Sequence, residues 1–185
     1  IDTMAEQAII DVIHKYYPDH NILSEELYPD TVLDNKADFW IIDPLDGTKN
    51  FIRGIPHFAI SIAFYTSGKV EHAVVYDPYK DEMFYASKGC GAYLNKKRIR
   101  VAKTKLLSDS LIVTSLPNKK SVSPDFYFAT VAELYAAKAS CRNFAATSLD
   151  LCYVASARLD GFFSRHLNIW DIAAAVLIAK EAGCY

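Results

Sequence analysis

The stretch FWIIDPLDGTKNF, residues 39–51, decides how this chain folds. Residues 39–42 predict a strand that leaves a hydrophobic core and enters a tight polar turn. Pro44 fixes its own φ angle and favours an extended backbone at Asp43. We therefore expect the carboxylates of Asp43 and Asp46 to converge on one point.

The residues that follow add groups able to bind an anion. Gly47 lets the backbone bend sharply, so that the amides of Gly47 and Thr48 face outward. Carboxylate oxygens suit a hard divalent cation, and outward N–H groups suit a phosphate. The alternative is an ordinary Asp-rich turn, because Asp, Pro and Gly are common turn residues. The rest of the chain decides between these two interpretations.

Length and composition indicate one globular domain. The chain has 185 residues, of which 51% are hydrophobic and 23% charged, and its formal net charge is −2. It is long enough to bury a core, and it has no basic field that would attract nucleic acid. It contains no run of about 18 apolar residues, so no membrane span is predicted. The four cysteines have no Cys-x-x-Cys spacing, which favours reduced thiols in the cytoplasm over zinc or a disulfide framework.

Both ends suggest a chain without its terminal segments. The sequence starts at Ile1 without an initiator Met and stops at Tyr185, just after a helix C-cap signal. We expect a single domain over 1–185, with a strand-rich N-terminal layer over about 1–105 and a C-terminal layer over about 106–185.

The first layer predicts a helix followed by closely spaced strands. Thr3 and Glu6 fit a capping box, and Pro18 ends the helix. An apolar stripe at helical spacing lies between them: Ala5, Ala8, Ile9, Val12, Ile13 and Tyr16. Further strands are predicted at 22–26, which ends in the paired acids Glu25 and Glu26, and at 57–65, 70–76, 82–86, 92–94 and 99–101. The short turns between them favour an antiparallel sheet, and 28–38 is expected to be a loop or hairpin.

The second layer alternates strands with helices. Strands are predicted at 111–115, 139–143 and 161–163, and helices at 124–137, 147–157 and 168–182. The basic run at 96–100 is interpreted as a solvated sheet edge that resists aggregation, in preference to a nucleic-acid patch.

Four acids begin or end elements that border this strand-rich core: Glu25, Asp43, Asp46 and Asp171. Carboxylates brought within a few ångströms repel each other unless cations neutralise them. A donor set made only of oxygen favours Mg²⁺, with Mn²⁺ and Ca²⁺ as competitors, over zinc. For Asp171, helix capping is the alternative role.

Together these segments resemble the inositol monophosphatase family. The resemblance rests on 43–51, on Glu25-Glu26 before it, and on 170–174 and 181–183 after it, and it covers nearly the whole chain. Residues 55–63 are most similar to the bacterial branch, of the extragenic suppressor type. The resemblance implies an α/β fold, a layered sandwich with mixed, largely antiparallel sheets. The family's N-terminal helix and last strand–helix segment have no counterpart here.

The resemblance also implies how metal would be held. Glu25, Asp43 and the Leu45 carbonyl would bind a first Mg²⁺. A second Mg²⁺ would be bound by Asp43, Asp46 and Asp171, so that Asp43 bridges the two ions. A third, more weakly bound Mg²⁺ would contact Glu25.

It implies the catalytic and substrate-binding groups as well. The amides of Gly47 and Thr48 would bind phosphate, and Thr48 with Glu25 would position and deprotonate the attacking water. Asp2 occupies the place of an acid that hydrogen-bonds this threonine. The family has a substrate-binding segment that usually begins with Gly, and in this chain that segment is Ala145, Ala146 and Thr147. Ser164 replaces an acid that usually holds substrate hydroxyls, which leaves the substrate open.

Three functions are compatible with these residues. The first is a phosphoric monoester hydrolase that uses Mg²⁺ and water on inositol monophosphate or a similar polyol phosphate. The second is a 3′(2′),5′-bisphosphate nucleotidase, indicated by Lys49 but not by Asn50. The third is a regulatory binding protein in bacterial transcription or RNA processing, with a transcription-complex partner. The resemblance also implies a homodimer.

Overall fold

The fold is seen in a computed structural model that describes residues 1–116 and 124–185. In these residues five helices and ten strands follow one another, with a short 3₁₀ helix at Leu107–Asp109. The helices are α1 (Asp2–Tyr16), α2 (Thr48–Ile52), α3 (Pro124–Ala136), α4 (Thr147–Ala155) and α5 (Ile169–Ala182). The strands are β1 (Asn21–Ser24), β2 (Phe39–Asp46), β3 (Ala59–Thr66), β4 (Lys69–Asp77), β5 (Glu82–Ser87), β6 (Gly91–Leu94), β7 (Lys97–Arg98), β8 (Leu111–Thr114), β9 (Ser140–Arg142) and β10 (Gly161–Phe163).

A seven-stranded sheet carries the motif from which the sequence analysis began. Its strands lie in chain order from β1 to β7. β1 pairs with β2 in parallel, and each later neighbour is antiparallel. A smaller, parallel sheet has the order β10-β8-β9. This mixed α/β fold, with a largely antiparallel main sheet, confirms the predicted fold class.

The main core lies between one face of this sheet and the helices α4 and α5. Along β3, buried and half-buried residues alternate from Ala59 to Thr66, as expected for a strand with one covered face. The largest cluster of buried hydrophobic side chains contains residues from both predicted layers, for example Ile41 and Phe84 with Leu149 and Ile178. No helix among the described residues has the length and hydrophobicity needed to cross a membrane.

Helix α1 differs from its prediction in the face that it buries. Its N-cap is Ile1 and has no side-chain cap, so the capping box of Thr3 and Glu6 is wrong. The buried residues are Glu6, Ile10 and Ile13, whereas Val12 and Tyr16, both in the predicted stripe, are mostly exposed. The observed buried face differs from the predicted one because Glu6 is hydrogen-bonded inside the protein and does not face solvent.

Three local differences concern strand and helix ends. Strand β2 does not stop at Ile42 but continues to Asp46, with a bulge between Asp43 and Asp46. The short helix α2 was not predicted, and it begins after Gly47, which adopts a left-handed φ of 89°. The strand predicted at 99–101 begins and ends earlier, as β7 at Lys97–Arg98, and beyond it Ile99 N donates one further backbone hydrogen bond to Ala92 O at 2.9 Å. The basic edge was predicted correctly: Lys96, Lys97 and Arg98 are exposed.

Candidate metal and phosphate site

The parallel pairing of β1 and β2 sets the first two acids beside each other. Ser24 is in register with Ile42, and Glu25 N donates to Ile42 O at 3.3 Å. Glu25 therefore follows β1 at the level where Asp43 stands in β2. Because both side chains leave the same end of a parallel pair, they face a common space.

Asp43 is the most strongly perturbed of these acids. Its side chain is almost fully buried, and its Oδ1 accepts one hydrogen bond, from Leu45 N at 3.0 Å. Burial, together with the charges of Asp46, Glu25 and Asp171, raises the pKa of Asp43 to about 10. A carboxyl in this position holds its proton at neutral pH unless a cation compensates the charge.

The other acids show the same repulsion to a smaller degree. Burial, then the charges of Asp171 and Glu26, raises the pKa of Glu25 to about 7. Burial also raises the pKa of Asp46 to about 6, although two hydrogen bonds from Ser148 oppose it. These bonds, from Ser148 N and Oγ to Asp46 Oδ2, are both 2.6 Å long.

Asp171 joins the group from the first turn of α5. Burial raises its pKa, and a hydrogen bond from Asn168 N to Asp171 Oδ2, 2.8 Å long, opposes the shift. Asp171 thus has the capping role that was the alternative for it, and its charge also raises the pKa values of Glu25, Asp43 and Asp46.

The arrangement fits divalent metal in charge and donor type, but it is not a finished coordination sphere. Within residues 1–116 and 124–185, no three Asp, Glu, His or Cys side chains are placed to hold one ion. Oxygens of Asp43, Asp46 and Asp171 accept hydrogen bonds from the protein instead. Mutual repulsion in a buried, all-oxygen cluster nevertheless matches what Mg²⁺ compensates. The predicted ligand assignments remain predictions.

The turn after Asp46 is closely packed around Gly47. A Cβ added to Gly47 would lie 3.0 Å from His57 O and 3.1 Å from Ala146 Cβ, so the backbone approaches these residues closely. The amides of Gly47 and Thr48 stand at the start of α2, where N–H groups lack helical partners. The phosphate-binding role of this turn stays a prediction.

The hydroxyl of Thr48 has a different partner from the one implied by the resemblance. Thr48 Oγ1 donates to Leu45 O at 3.0 Å, the carbonyl expected to bind metal. No hydrogen bond between Asp2 and Thr48 occurs among the residues that the structure describes; Asp2 lies half-buried in the first turn of α1.

The predicted substrate segment lies next to this turn. Ala145 has a left-handed φ of 59°, a conformation that suits glycine better. Ala146 and Thr147 are buried, and Thr147 Oγ1 lies 3.4 Å from Ser115 Oγ. Ser164 is half-buried directly after β10, and its role toward substrate remains a prediction.

Sequence reasoning missed two buried polar groups beside the acids. Glu6 accepts hydrogen bonds from Ser24 Oγ, Leu27 N and Glu26 N, and so holds the segment that carries Glu25. The helical spacing of Glu6 with Ile10 and Ile13 was the signal that could have placed it inside.

The second missed group is a hydrogen-bonded pair. His57 Nε2 and Asp150 Oδ1 are 2.9 Å apart, and both residues are buried. The polar residue Asp150 between Leu149 and Leu151 in a predicted helix was a signal that it needs a buried partner.

Comparison with known proteins gives consistent results. A profile described as "Inositol monophosphatase family" matches residues 1–185. The Nus factor SuhB of Pasteurella multocida is 45% identical over 185 residues, with 99% of this chain and 68% of the relative covered. The extragenic suppressor protein suhB of Bartonella henselae is 39% identical, with a TM-score of 0.89 over 98% of this chain and 69% of that one. Inositol monophosphatase from Anabaena is 35% identical, with a TM-score of 0.91 over 98% and 72% of the two chains.

Proposed function

Because the chain belongs to the inositol monophosphatase family, we propose that it hydrolyses monophosphates of inositol or a similar polyol with Mg²⁺. The observation that carries this proposal is the jointly raised pKa of four carboxyls around one turn. Mutually repelling acids that are held together lower the stability of the folded protein. A role in binding a cation, which in turn binds phosphate, would explain why they are held together. The similarity to the Anabaena inositol monophosphatase supports the substrate class.

In this proposal the acids hold the metal. Glu25, Asp43 and Leu45 O would bind one ion, and Asp43, Asp46 and Asp171 a second, after the protein donors that now occupy some of these oxygens shift. Bound Mg²⁺ would supply charge neutralisation and lower the pKa of water.

The turn that follows orients the phosphate. The amides of Gly47 and Thr48 would donate to its oxygens, while their fixed backbone limits the approach to one direction. Phosphoryl transfer depends mainly on such positioning and on charge neutralisation, so no protein nucleophile is needed.

Glu25 and Thr48 would position the attacking water. Burial and neighbouring carboxyls raise the pKa of Glu25 to about 7 without metal; a bound cation would lower it, and the carboxylate form that can accept a proton would then be present at neutral pH. Water would give its proton to Glu25 as its oxygen bonds to phosphorus, the bond from phosphorus to the alcohol oxygen would break, and the departing alkoxide would take a proton from a second water molecule. Asp2 would steady Thr48, once a contact between them forms.

The test is phosphate release from a panel of phosphate monoesters, with and without Mg²⁺. Asp43→Asn should reduce the Mg²⁺-dependent rate about 10³-fold, since loss of a shared ligand costs several kcal/mol of transition-state stabilisation. Asp81→Asn is the matched control: Asp81 is exposed, and its φ of 52° suits Asn. Full activity in Asp43→Asn would rule the proposal out. Faster release from 3′-phosphoadenosine 5′-phosphate than from inositol phosphates would instead support the nucleotidase alternative.

A second candidate function is favoured by the name of the relatives, Nus factor SuhB. In that case the chain would act through a transcription-complex partner, as a dimer in the cytoplasm. A pull-down of transcription proteins that survives Asp43→Asn, with no turnover of any monoester, would favour this function over catalysis.

A further inference from the structure

The buried pair of His57 and Asp150 lies behind the phosphate-binding turn and is not used by the proposed mechanism. The Asp150 side chain has no exposed surface, and that of His57 is 11% exposed. The imidazole packs between the rings of Phe144 and Tyr153, at centroid distances of 5.1 and 5.4 Å. In the described part of the chain, Asp150 Oδ2 has no hydrogen-bond partner. His57 is therefore the side chain that compensates this buried carboxylate.

Asp150 belongs to the same helical turn that holds Asp46. Ser148, two residues before Asp150, donates to Asp46 Oδ2 through both its N and its Oγ at 2.6 Å. A rotation or shift of α4 that moved Asp150 away from His57 would also move both Ser148 donors. The pair thus fixes the position from which Ser148 reaches Asp46.

His57 is joined to the turn through its backbone as well. Its carbonyl accepts a hydrogen bond from Asn50 Nδ2 at 2.8 Å, and the same nitrogen donates to Phe144 O at 2.6 Å. Asn50 lies within α2, and the His57 carbonyl also limits the space behind Gly47. One residue therefore contacts α2 with its backbone and α4 with its side chain.

We propose that His57 and Asp150 are positioning residues whose buried hydrogen bond locks the first turn of α4 to the phosphate-binding turn. The lock keeps the Ser148 donors on Asp46 and the amides of Gly47 and Thr48 in one fixed relation. This inference rests on the proposed phosphatase function, since it concerns the alignment of that site.

Two substitutions of His57 separate its hydrogen bond from its packing. His57→Phe keeps an aromatic ring between Phe144 and Tyr153 but removes the donor to Asp150. We expect it to lower kcat and to raise the Mg²⁺ concentration for half-maximal rate, each about 10- to 100-fold, as for other groups that orient metal ligands. His57→Gln places an amide donor near the position of Nε2, and it should restore both values to within a few-fold of the wild type.

The matched control breaks a contact at the other end of the same helix. Arg158 follows α4 and binds Glu82 through two nitrogens, at 2.6 and 2.5 Å. Arg158→Met should lower thermal stability without changing kcat or the Mg²⁺ requirement. Equal losses of activity in His57→Phe and Arg158→Met, in proportion to lost stability, would overturn the proposal, as would unchanged values in His57→Phe.

Calorimetric Mg²⁺ titration distinguishes this inference from the proposed function. If the wild type releases no phosphate from any monoester, the phosphatase proposal fails; weaker Mg²⁺ binding by His57→Phe would still support the positioning role, and unchanged binding would overturn it. If His57→Phe does not fold, His57→Met against His57→Gln makes the same comparison, because Met also lacks a donor.

Discussion

Two groups of buried carboxylates in this protein are stabilised in opposite ways. Glu6 receives three hydrogen bonds from Ser24 and from the backbone amides of Glu26 and Leu27, 2.6 to 3.0 Å long. Asp77 receives two backbone bonds at 3.0 Å and the ammonium of Lys80 at 2.6 Å. Each of these acids stands alone among donors, as a buried charge requires.

The acids around Asp43 face one another as well as protein donors: Ser148 donates twice to Asp46 and Asn168 N donates once to Asp171. Asp43 accepts one hydrogen bond from the described residues, and its nearest charges are three further carboxyls, which help to raise its pKa to about 10. The same protein can therefore satisfy a buried carboxylate with its own donors and does so at Glu6 and Asp77. This difference is the reason for proposing that a bound cation compensates the cluster around Asp43.

The largest effect should come from the satisfied group. Glu6→Gln replaces an acceptor by an amide that faces backbone N–H donors, so we expect a loss of about 2–4 kcal/mol in the free energy of unfolding. Asp43→Asn should have the opposite sign in metal-free buffer at neutral pH, because the Asp43 carboxyl must take up a proton when the chain folds, whereas Asn need not. Denaturant melts of both variants measure the change in the free energy of unfolding. A loss of stability in both variants would contradict the proposed difference between the two groups of carboxylates.

Mg²⁺ should then stabilise the wild type by mass action. At a Mg²⁺ concentration about 100 times its Kd, the expected gain is about 2.7 kcal/mol. Thermal melts with Mg²⁺ and with EDTA test this. Asp43→Asn should lose most of the gain, whereas Asp81→Asn should keep it; an equal gain in all three proteins would mean that the ion binds elsewhere.

Metal-free protein should lose stability as pH rises. The folded protein keeps the Asp43 proton up to a pKa of about 10, while the unfolded chain releases it near the ordinary value of 3.8. This contribution is complete below pH 3.8 and is lost as pH rises toward 10, by up to about 1.4 kcal/mol per pH unit. Glu25 and Asp46 act in the same direction up to about pH 7 and 6.

Melts in EDTA between about pH 5 and about pH 9 measure how the free energy of unfolding changes with pH. This range extends to within about one unit of the lowest and the highest of these pKa values. Asp43→Asn should flatten this dependence above pH 7, because the contribution of Glu25, whose pKa is about 7, is largely lost there. A stability that rises with pH over this range in the wild type would contradict the pKa assignment.

The smallest effect concerns a single donor within the acidic cluster. Ser148→Ala removes the hydroxyl bond to Asp46 but keeps the backbone bond from Ser148 N. We expect the pKa of Asp46 to rise further and the stability at pH 8 to fall by about 1 kcal/mol. Ser156→Ala, on the C-cap of the same helix, is a control of equal size, since its hydroxyl bonds only to α4 carbonyls.

The sequence contained much of the fold because its patterns are local. Alternating apolar residues and short turns predicted β3, β4 and β5 to within two residues of their observed ends. Glu25 and Asp171 stand next to the ends of their predicted elements, as the strand and helix patterns indicated, but their assignment as ligands with Asp43 and Asp46 stays a prediction. Each of these signals can be read within a window of about ten residues.

The parts that failed depend on contacts between distant residues. Glu6 is buried because Ser24 and Leu27 supply donors from another element, and nothing within α1 reveals them. His57 and Asp150 are separated by 93 positions, yet they form one hydrogen bond. Helix α2 escaped prediction because Lys49 and Asn50 give it no apolar stripe; Asn50 is buried there through its own hydrogen bonds.

The parallel pair at the sheet edge has a consequence for folding kinetics. Strands β3 to β7 form a meander of sequential hairpins, whose turns of two to four residues have a low entropic cost of closure. β1 must instead return to β2 across the loop 25–38, and Asp171 arrives from the far end of the chain. This order predicts that the meander forms early and that the acids come together last. Their repulsion would therefore slow a late step of folding and would not affect formation of the folding nucleus.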